Sequence, residues 1–442
     1  MPVATRNSQP ATILALNTRL RIVLFLFLIA TPAFVLIAKT IRVSLAQTWG
    51  DSFDAGSIER AIALDRDNPQ LHYTLGMVYL FGGESTSPAA AMREMRQATT
   101  LRPHTASYWS GLGKACWVAA DQACADQAFE RAVELAPTTP RYVWDAAVNS
   151  VGASRPGPAI AELKRFLQLQ PDAYPQVFQL AWRGLGDSDM LWRDLVRSSG
   201  DTAAKLDYLE FLGENGRFDL AGRYWAEMVS AKPVLPFDAT KAYLEELLST
   251  AHYQEAAAVW QYLRQTGAVG NPPGPDQTNL VFNGGFEREP LGAGFDWRHQ
   301  PQSYVTVDFS DASAHSGAHA LRLDFTVPQN LEYEPIQQLV EVVPGQTYAL
   351  DAYIRSEAIT SDSGPRLRVT DPQCATCLDV STGGVTGSTA WHEIGLRFTA
   401  GPSTGIVRIS VWRPRSRSFP MEISGSAWFD DIALRQVPAS TN

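Results

Sequence analysis

Two neighbouring aspartates, Asp430 and Asp431, lie in the run AWFDDIAL at residues 427–434, a setting that makes them candidate cation ligands. In an extended strand Asp430 shares a face with Ile432 and Leu434. Its carboxylate is therefore expected to point inward, where an unpaired charge is costly. A Ca2+ ion with oxygen ligands would satisfy it; a turn cap or an arginine partner would satisfy it too. Asp431 falls on the opposite face, so the two are not expected to act as the paired acid and base of a glycosidase.

Strand parity picks out a second group. With Tyr348, Leu350, Ala352 and Ile354 facing a core, Asp351, Tyr353 and Arg355 face out. With Val407, Ile409 and Val411 facing in, Arg408, Ser410 and Trp412 face out, and Arg366 and Arg368 fall on the polar side as well. A flat ring stacks on the C–H face of a sugar while charged groups hold its hydroxyls. Asp351, Tyr353, Arg355, Arg366, Arg368, Arg408 and Trp412 are thus expected to form a glycan platform, although a solvated face carrying arginines has the same pattern. Arg413, Arg415 and Arg417, together with Arg355, Arg366 and Arg368, point to an acidic polysaccharide.

Four cysteines fall in two close pairs, Cys116 with Cys124 and Cys374 with Cys377. In an exported chain these are candidate disulfides; in a cytosolic one they are buried or reactive thiols. Cys374 and Cys377 follow a strand in a Pro/Gly-rich loop, which suits a loop-tightening bridge better than a redox motif. Chemistry beyond binding is not expected. The GPSTG run at 401–405 matches G-x-S-x-G in letters but sits in a turn between strands. His315 and His319 straddle a loop and a strand start, and no phosphate loop or dinucleotide fingerprint occurs. The chain reads as a non-enzyme without an organic cofactor.

The elements that carry these residues follow from periodicity. Alternation over 320–325, 336–342, 348–355, 366–370, 393–398 and 406–413 predicts short strands, about ten in all across 279–437, as in an antiparallel sandwich. Residues 280–287 (LVFNGGFE) and 427–434 are expected to be its first and last strands. Upstream, 51–266 has helical period, and 267–278 is a Gly/Pro-rich linker. A length of 442 residues fits two folded modules, 45% hydrophobic and 19% charged residues fit globular folding, and a net charge of −9 argues against a nucleic-acid partner.

Within the helical region, Pro103, Pro137 and Pro171 recur at 34-residue steps. Small residues hold fixed places before each: Ala91 and Ala98, Ala125 and Ala132, then Ala159 with Phe166. Asp65 and Arg66 stand where an earlier unit would carry its proline pair. This pattern resembles the tetratricopeptide repeat, paired antiparallel helices stacked into a solenoid. About six pairs are expected, the last three degenerate. Tyr108, Trp109, Trp117, Trp144, Trp182, Trp192 and Trp225 are expected to be core packing.

The order NLVFNGGFE (279–287), Trp297, HSG (315–317), Leu321 and Leu323, IQQ (336–338), PGQTY (344–348), Trp391 and WFDDI (428–432) resembles the galactose-binding-like jelly rolls of carbohydrate-binding module families 4, 9 and 22. The resemblance implies a structural calcium held by Glu287 with Asp430 or Asp431, and it treats the loop of His315 as structural.

Residues 22–38 run without a charge, with Arg19 and Arg21 before them and Lys39 and Arg42 after. They read as a single transmembrane helix, with a cytoplasmic N-terminus (1–21) and the bulk outside, in the inner membrane facing the periplasm. A cleaved signal peptide is the competing reading. The fold class expected is multidomain: transmembrane helix, all-α tetratricopeptide-like solenoid, then all-β jelly-roll sandwich. The function expected is a binding scaffold whose partners are the membrane, a protein on the repeats and a poly- or oligosaccharide on the jelly roll, in envelope polysaccharide assembly or export. The alternatives are a protein-assembly scaffold that binds no sugar, or an accessory subunit of a carbohydrate-active enzyme.

Overall fold

The computed structural model describes residues 19–52, 54–83, 86–270 and 278–438. Most of the expected cytoplasmic N-terminus (1–18) and residues 271–277 of the expected linker lie outside the described residues. The chain divides into two compact units, Met1–Leu195 and Val196–Asn442.

The first unit opens with α1 (Arg19–Gly50), one unbroken helix of 32 residues. The stretch Ile22–Gly50 is long and apolar enough to cross a membrane, and its most apolar part is fully exposed. A signal sequence shares that character. The tail of the same helix is different: Ala46 and Trp49 pack with Ala61, Ile62, Leu64 and Leu71, and Arg42 donates to the Leu64 carbonyl. The helix that carries the apolar segment thus also supplies the first layer of the repeat array.

After α2 (Ala55–Leu64) come α3 (Pro69–Phe81), α4 (Pro88–Leu101), α5 (Ala106–Val118), α6 (Gln122–Leu135), α7 (Pro140–Gly152), α8 (Pro156–Leu169) and α9 (Tyr174–Leu185). Proline at the first turn of α3, α4, α7 and α8 wastes no hydrogen bond. Side chains of Asp54, Asn68 and Asp121 accept from first-turn amides. The 34-residue proline marks the ends of α4, α6 and α8. Arg102, Ala136 and Gln170, each just before a proline, leave the helical region at φ −142°, −141° and −139°, as the proline ring demands of its predecessor. Asp65 takes the same conformation, φ −137°, without a proline after it. The expected small residues Ala91, Ala98, Ala125, Ala132 and Ala159 are fully buried. Gly111 shows why: a Cβ there would come within 2.8 Å of Tyr73 and 2.9 Å of Met95. Of the expected core aromatics, Trp117 departs: it sits on the last turn of α5 with 49% of its surface exposed.

Within the region of helical period, the stretch after α9 is one α turn, α10 (Ser188–Met190), continued by a π-helical stretch Leu191–Val196 and a 3-10 turn Arg197–Ser199. The second unit contains α11 (Thr202–Glu214), α12 (Phe218–Ser230), α13 (Phe237–Ser249), α14 (Tyr253–Gln265) and the sandwich. The last two helices lie against the sandwich. Trp260 meets Phe282 edge-on at 5.2 Å, and Glu245 accepts both Nη1 and Nη2 of Arg298 (2.7 and 2.8 Å) and the Gly294 amide (2.7 Å). Gly294 is at φ +61°, and a Cβ there would lie 2.6 Å from the Trp260 ring, so only glycine permits this approach.

Ten antiparallel strands are present among the described residues: β1 (Arg298–His299), β2 (Val305–Asp311), β3 (Ala320–Gln329), β4 (Tyr333–Glu341), β5 (Thr347–Ile359), β6 (Arg366–Thr370), β7 (Asp379–Ser381), β8 (Gly387–Thr399), β9 (Ile406–Arg413) and β10 (Ile423–Val437). They form two sheets, ordered β1-β4-β9-β6-β7 and β2-β3-β10-β5-β8. Parity holds inside the core. Val407, Ile409 and Val411 of β9 face Leu350, Ala352 and Ile354 of β5 in one apolar cluster with Leu321, Leu323 and Phe429.

The opening segment is a correction. Residues 280–287 were expected to be a strand and are instead a chain of turns, because Asn283 (φ 53°) and Phe286 (φ 55°) adopt left-handed conformations that no pleat accommodates. The segment is still pinned to β10. The Leu280 amide donates to the Leu434 carbonyl, the Ile432 amide donates to Gly284, and the Asn279 side chain bridges Ile432 and Leu434.

Candidate functional site

The expected platform residues do not come together on one surface. Arg366 and Arg368 on β6 and Arg408 and Trp412 on β9 share the outer face of the β1-β4-β9-β6-β7 sheet, whereas Asp351, Tyr353 and Arg355 project from β5 in the other sheet. The two outer faces point away from each other. The physical reason is that parity separates inward from outward in each sheet but says nothing about which sheet a strand joins.

On the first face Trp412 is half-buried beneath arginine. The Arg368 guanidinium lies 4.5 Å and that of Arg366 5.8 Å from the Trp412 ring centre. Arg368 donates to both oxygens of Asp379 (2.8 Å each) and to Glu334 (3.0 Å). These carboxylates hold its pKa above the ordinary arginine value, while Arg368 holds Asp379 below the ordinary carboxylate value. The buried Ser410 hydroxyl donates to Glu334 (2.7 Å), and Trp412 Nε1 donates to Glu332 (3.4 Å). Burial lowers the Arg366 pKa. The acids Glu332, Glu334 and Asp379 were missed in the sequence. Glu334 sits beside an irregular stretch of β4, where pairing shifts register between Tyr333 and Ile336, so alternation gives no guide to it.

On the second face the tyrosine is already covered. His315 stacks on Tyr353 at 3.5 Å and 11°, and Trp391 meets the His315 ring edge-on at 5.8 Å. Arg355 and Arg322 lie over Trp428 at 4.6 and 5.1 Å, and Asp351 pairs with Arg435 at 3.8 Å. Arg413, grouped above with ligand-seeking arginines, is wholly buried. It donates to the carbonyls of Ser363, Leu331 and Met421, to Asn330 Oδ1 and to the Ser361 hydroxyl. It fastens loops and is closed to ligand. Arg415 and Arg417 are exposed.

The acidic cluster is a clasp around residues 315–319. Asp430 is fully buried as expected, but not by core parity. Its strand partner is Tyr353 on the outer face, and a bulge between Asp430 and Ala433, with Asp431 at φ 50°, restores Ile432 and Leu434 to the core. Asp430 Oδ2 accepts the amides of His315 (2.8 Å) and Ser316 (3.1 Å), and Oδ1 accepts that of Asp431 (2.7 Å). The bulge also cancels the expected opposition of the two aspartates. Asp431 meets His315 Nδ1 and accepts from the Ser316 hydroxyl, both at 2.7 Å, on the same loop. Glu287 accepts from the amides of Ala318 (2.8 Å) and His319 (3.3 Å). Burial pushes the Asp430 carboxyl up to about 6.

Three carboxylates converge around Gly285, each already accepting hydrogen bonds: a Cβ placed there would sit 3.7 Å from Asp430 Oδ1, 3.8 Å from Asp431 Oδ1 and 3.9 Å from Glu287 Cγ. Among the described residues no group of three or more His, Cys, Asp or Glu side chains is arranged as a metal cluster. A cation here would rely on backbone oxygens as well.

Both cysteine pairs are joined, Cys116 to Cys124 across the α5–α6 turn and Cys374 to Cys377 in the β6–β7 loop. Ser403 of the GPSTG run lies in an exposed turn between β8 and β9.

One buried acid outside the clasp gives a pH prediction. Asp296 is 1% exposed, accepts the amides of Leu291 and Trp297, and is pushed up to about 6 by burial. Its folded pKa lies above the unfolded value, so the folded chain takes up the proton first. Its contribution is complete below the unfolded value of 3.8 and is lost as pH rises through about 6. Denaturant midpoints are expected to rise between pH 7 and 5, and Asp296→Asn is expected to flatten that rise; an unchanged slope would remove Asp296 as its source.

These observations define a chain of two architectures, a helical-repeat array followed by a jelly-roll sandwich, with no catalytic constellation among its described residues. No protein-family model matches the chain, and no curated protein matches it. Among solved structures it is similar to TmCBM61 in complex with beta-1,4-galactotriose (22% identity, 36% of this chain and 99% of that one, TM-score 0.25) and to a CBM4 structure (17%, 36% and 99%, 0.27). It is also similar to MamA (19%, 49% and 94%, 0.30).

Proposed function

We propose that this chain is a membrane-anchored, extracytoplasmic binding scaffold, with repeats that hold a protein partner and a sandwich that binds glycan in envelope polysaccharide assembly or export. The observation that carries the glycan part is the Trp412 face. An aromatic ring there is surrounded by side chains already fixed by one another, Arg368 by Asp379 and Glu334, and Glu334 by Ser410. Groups held in this way meet sugar hydroxyls without further loss of rotamer freedom. The exposed apolar helix and the two disulfides support an anchored chain in an oxidising compartment.

The ligand best matched is a neutral glycan. Arg366, Arg368 and Arg408 are balanced by Glu332, Glu334 and Asp379 on the same face, and Arg413 is withdrawn into the protein. This replaces the acidic polysaccharide that the arginine count suggested. The full chain, solubilised in detergent, should bind a member of a neutral polysaccharide panel in calorimetric titration. Trp412→Ala should weaken that binding at least about tenfold, in the range of an interface hot spot. Binding to no glycan, or binding indifferent to Trp412, would end this reading in favour of a scaffold that contacts protein alone.

A calcium held by Glu287, Asp430 and Asp431 would supply the positive charge that the buried Asp430 lacks, tying the opening segment to the last strand. Its expected signature is a melting temperature raised by calcium and returned by chelator, with the rise lost in Glu287→Gln. A calcium response of equal size in that variant would place the ion elsewhere.

A further inference from the structure

Between α6 and α8, over a floor made by α7, the first unit contains a cavity of about 600 Å3. Its apolar wall is formed by Phe129 and Val133 from α6 and by Val143 and Ala146 from α7. Its polar side has two parts in different electrostatic states. Asp126 is fully engaged: Arg155 donates to both of its oxygens (2.7 and 2.6 Å), and Asn149 and Gln122 add further hydrogen bonds. That network pairs one cation with one anion through Nη1 and Nη2 and leaves the buried Arg155 Nε without a partner among the described residues. Glu162, on the α8 side of the same cavity, makes no such ion pair, and Arg155 acts on it only through space. Ser150 is its side-chain hydrogen-bond partner, and its Oε2 is buried without a partner among the described residues. Burial raises its pKa, which is the mark of a carboxylate short of compensating charge.

We propose that this cavity is a docking site for a lysine side chain of a protein partner. A lysine combines an aliphatic stem, which the Phe129–Val133–Val143–Ala146 wall would cover, with a compact ammonium at its end. Lysine fits better than arginine. The planar fork of a guanidinium seeks two oxygens side by side, and here one oxygen of Glu162 is turned to Ser150, leaving a single acceptor for a point charge. The torsion at the end of a glutamate side chain is soft, so Oε2 can turn toward the cavity at little cost. The charge is complementary as well: the lining carries Asp126, Glu130, Glu134 and Glu162 against Arg155 and Arg165, an excess of negative charge. The occupant is a partner's lysine rather than a sugar, because the cavity pairs an apolar wall with an excess of acids over arginines, and the aromatic ring in its lining, Phe129, is buried in the helix packing.

This inference rests on the reading of the repeats as the protein-binding part, and its test separates the two. The probe is a short acetylated and amidated alanine peptide with one central lysine, compared with the same peptide carrying norleucine, titrated by calorimetry into the full detergent-solubilised chain. The lysine peptide is expected to bind at least about tenfold more tightly than the norleucine peptide, and Glu162→Gln is expected to remove about that factor. The melting temperature should be preserved, since glutamine keeps the shape and relieves the buried charge. Equal binding of the two peptides, or no binding of the lysine peptide, would overturn the site. Lysine-peptide binding undiminished in Glu162→Gln would overturn it too, while leaving the repeats as a protein-binding surface elsewhere.

Discussion

Arg413→Ala is expected to destabilise the sandwich by about 3–5 kcal/mol. The wild-type side chain is completely buried and reaches five acceptors, three of them carbonyls in segments that no sheet ladder satisfies. Truncation would leave those carbonyls buried and unpaired, and each such group costs about 1–3 kcal/mol. The guanidinium does this without a carboxylate in contact, and burial lowers its pKa, so the bonds it makes act against the desolvation of its own charge. Arg413→Lys should recover only part of the loss, because one ammonium cannot span the segments around Leu331, Ser363 and Met421 at once. Denaturant midpoints of the three proteins decide this; a lysine variant as stable as wild type would mean that charge rather than geometry is what the loops require.

Trp260→Ala is expected to cost about 3–5 kcal/mol as a large-to-small change in a packed site, and its qualitative effect should be as informative. Trp260 is 5% exposed and is bounded by Phe237 at 6.3 Å, by Phe282 of the opening segment at 5.2 Å and by Phe295, just before β1, at 6.1 Å. With Glu245 holding Arg298 and Gly294, it makes the last helical hairpin and the sandwich one packed body. Wild-type unfolding of this unit should therefore be a single transition, with amides of α13, α14 and the central strands exchanging together. Removing Trp260 should split it into two. If hydrogen exchange already shows α14 opening independently in the wild type, the contact is a resting place rather than a joint. The prediction also governs how glycan binding is measured, since a fragment cut after α14 would expose Phe282 and Phe295.

The sequence by itself determined what depends on neighbours in the chain. The proline period placed the ends of α4, α6 and α8, because a residue before proline is driven from the helical region wherever it occurs. The alanines at fixed offsets were legible as close-packing positions for the same reason of regular geometry. Strand parity put Val407, Ile409 and Val411 inside and Trp412 outside.

Tertiary structure alone decided the rest. Tyr353 and Trp412 obey one alternation rule yet face away from each other, because two sheets of a sandwich share that rule and differ only in pairing. Asp430 was expected inside on parity with Ile432, and it is buried on the other face under the loop of His315, because a single bulged residue reverses parity without leaving a mark in composition. Arg413 carries the same letter as Arg415 and Arg417 and lies in the interior, because the five acceptors that make it tolerable come from segments up to 83 residues away. Local sequence fixes conformation and facing; the company a side chain keeps is set by contacts across the fold, and for the clasp and the Trp412 face alike that company is what confers the chemistry.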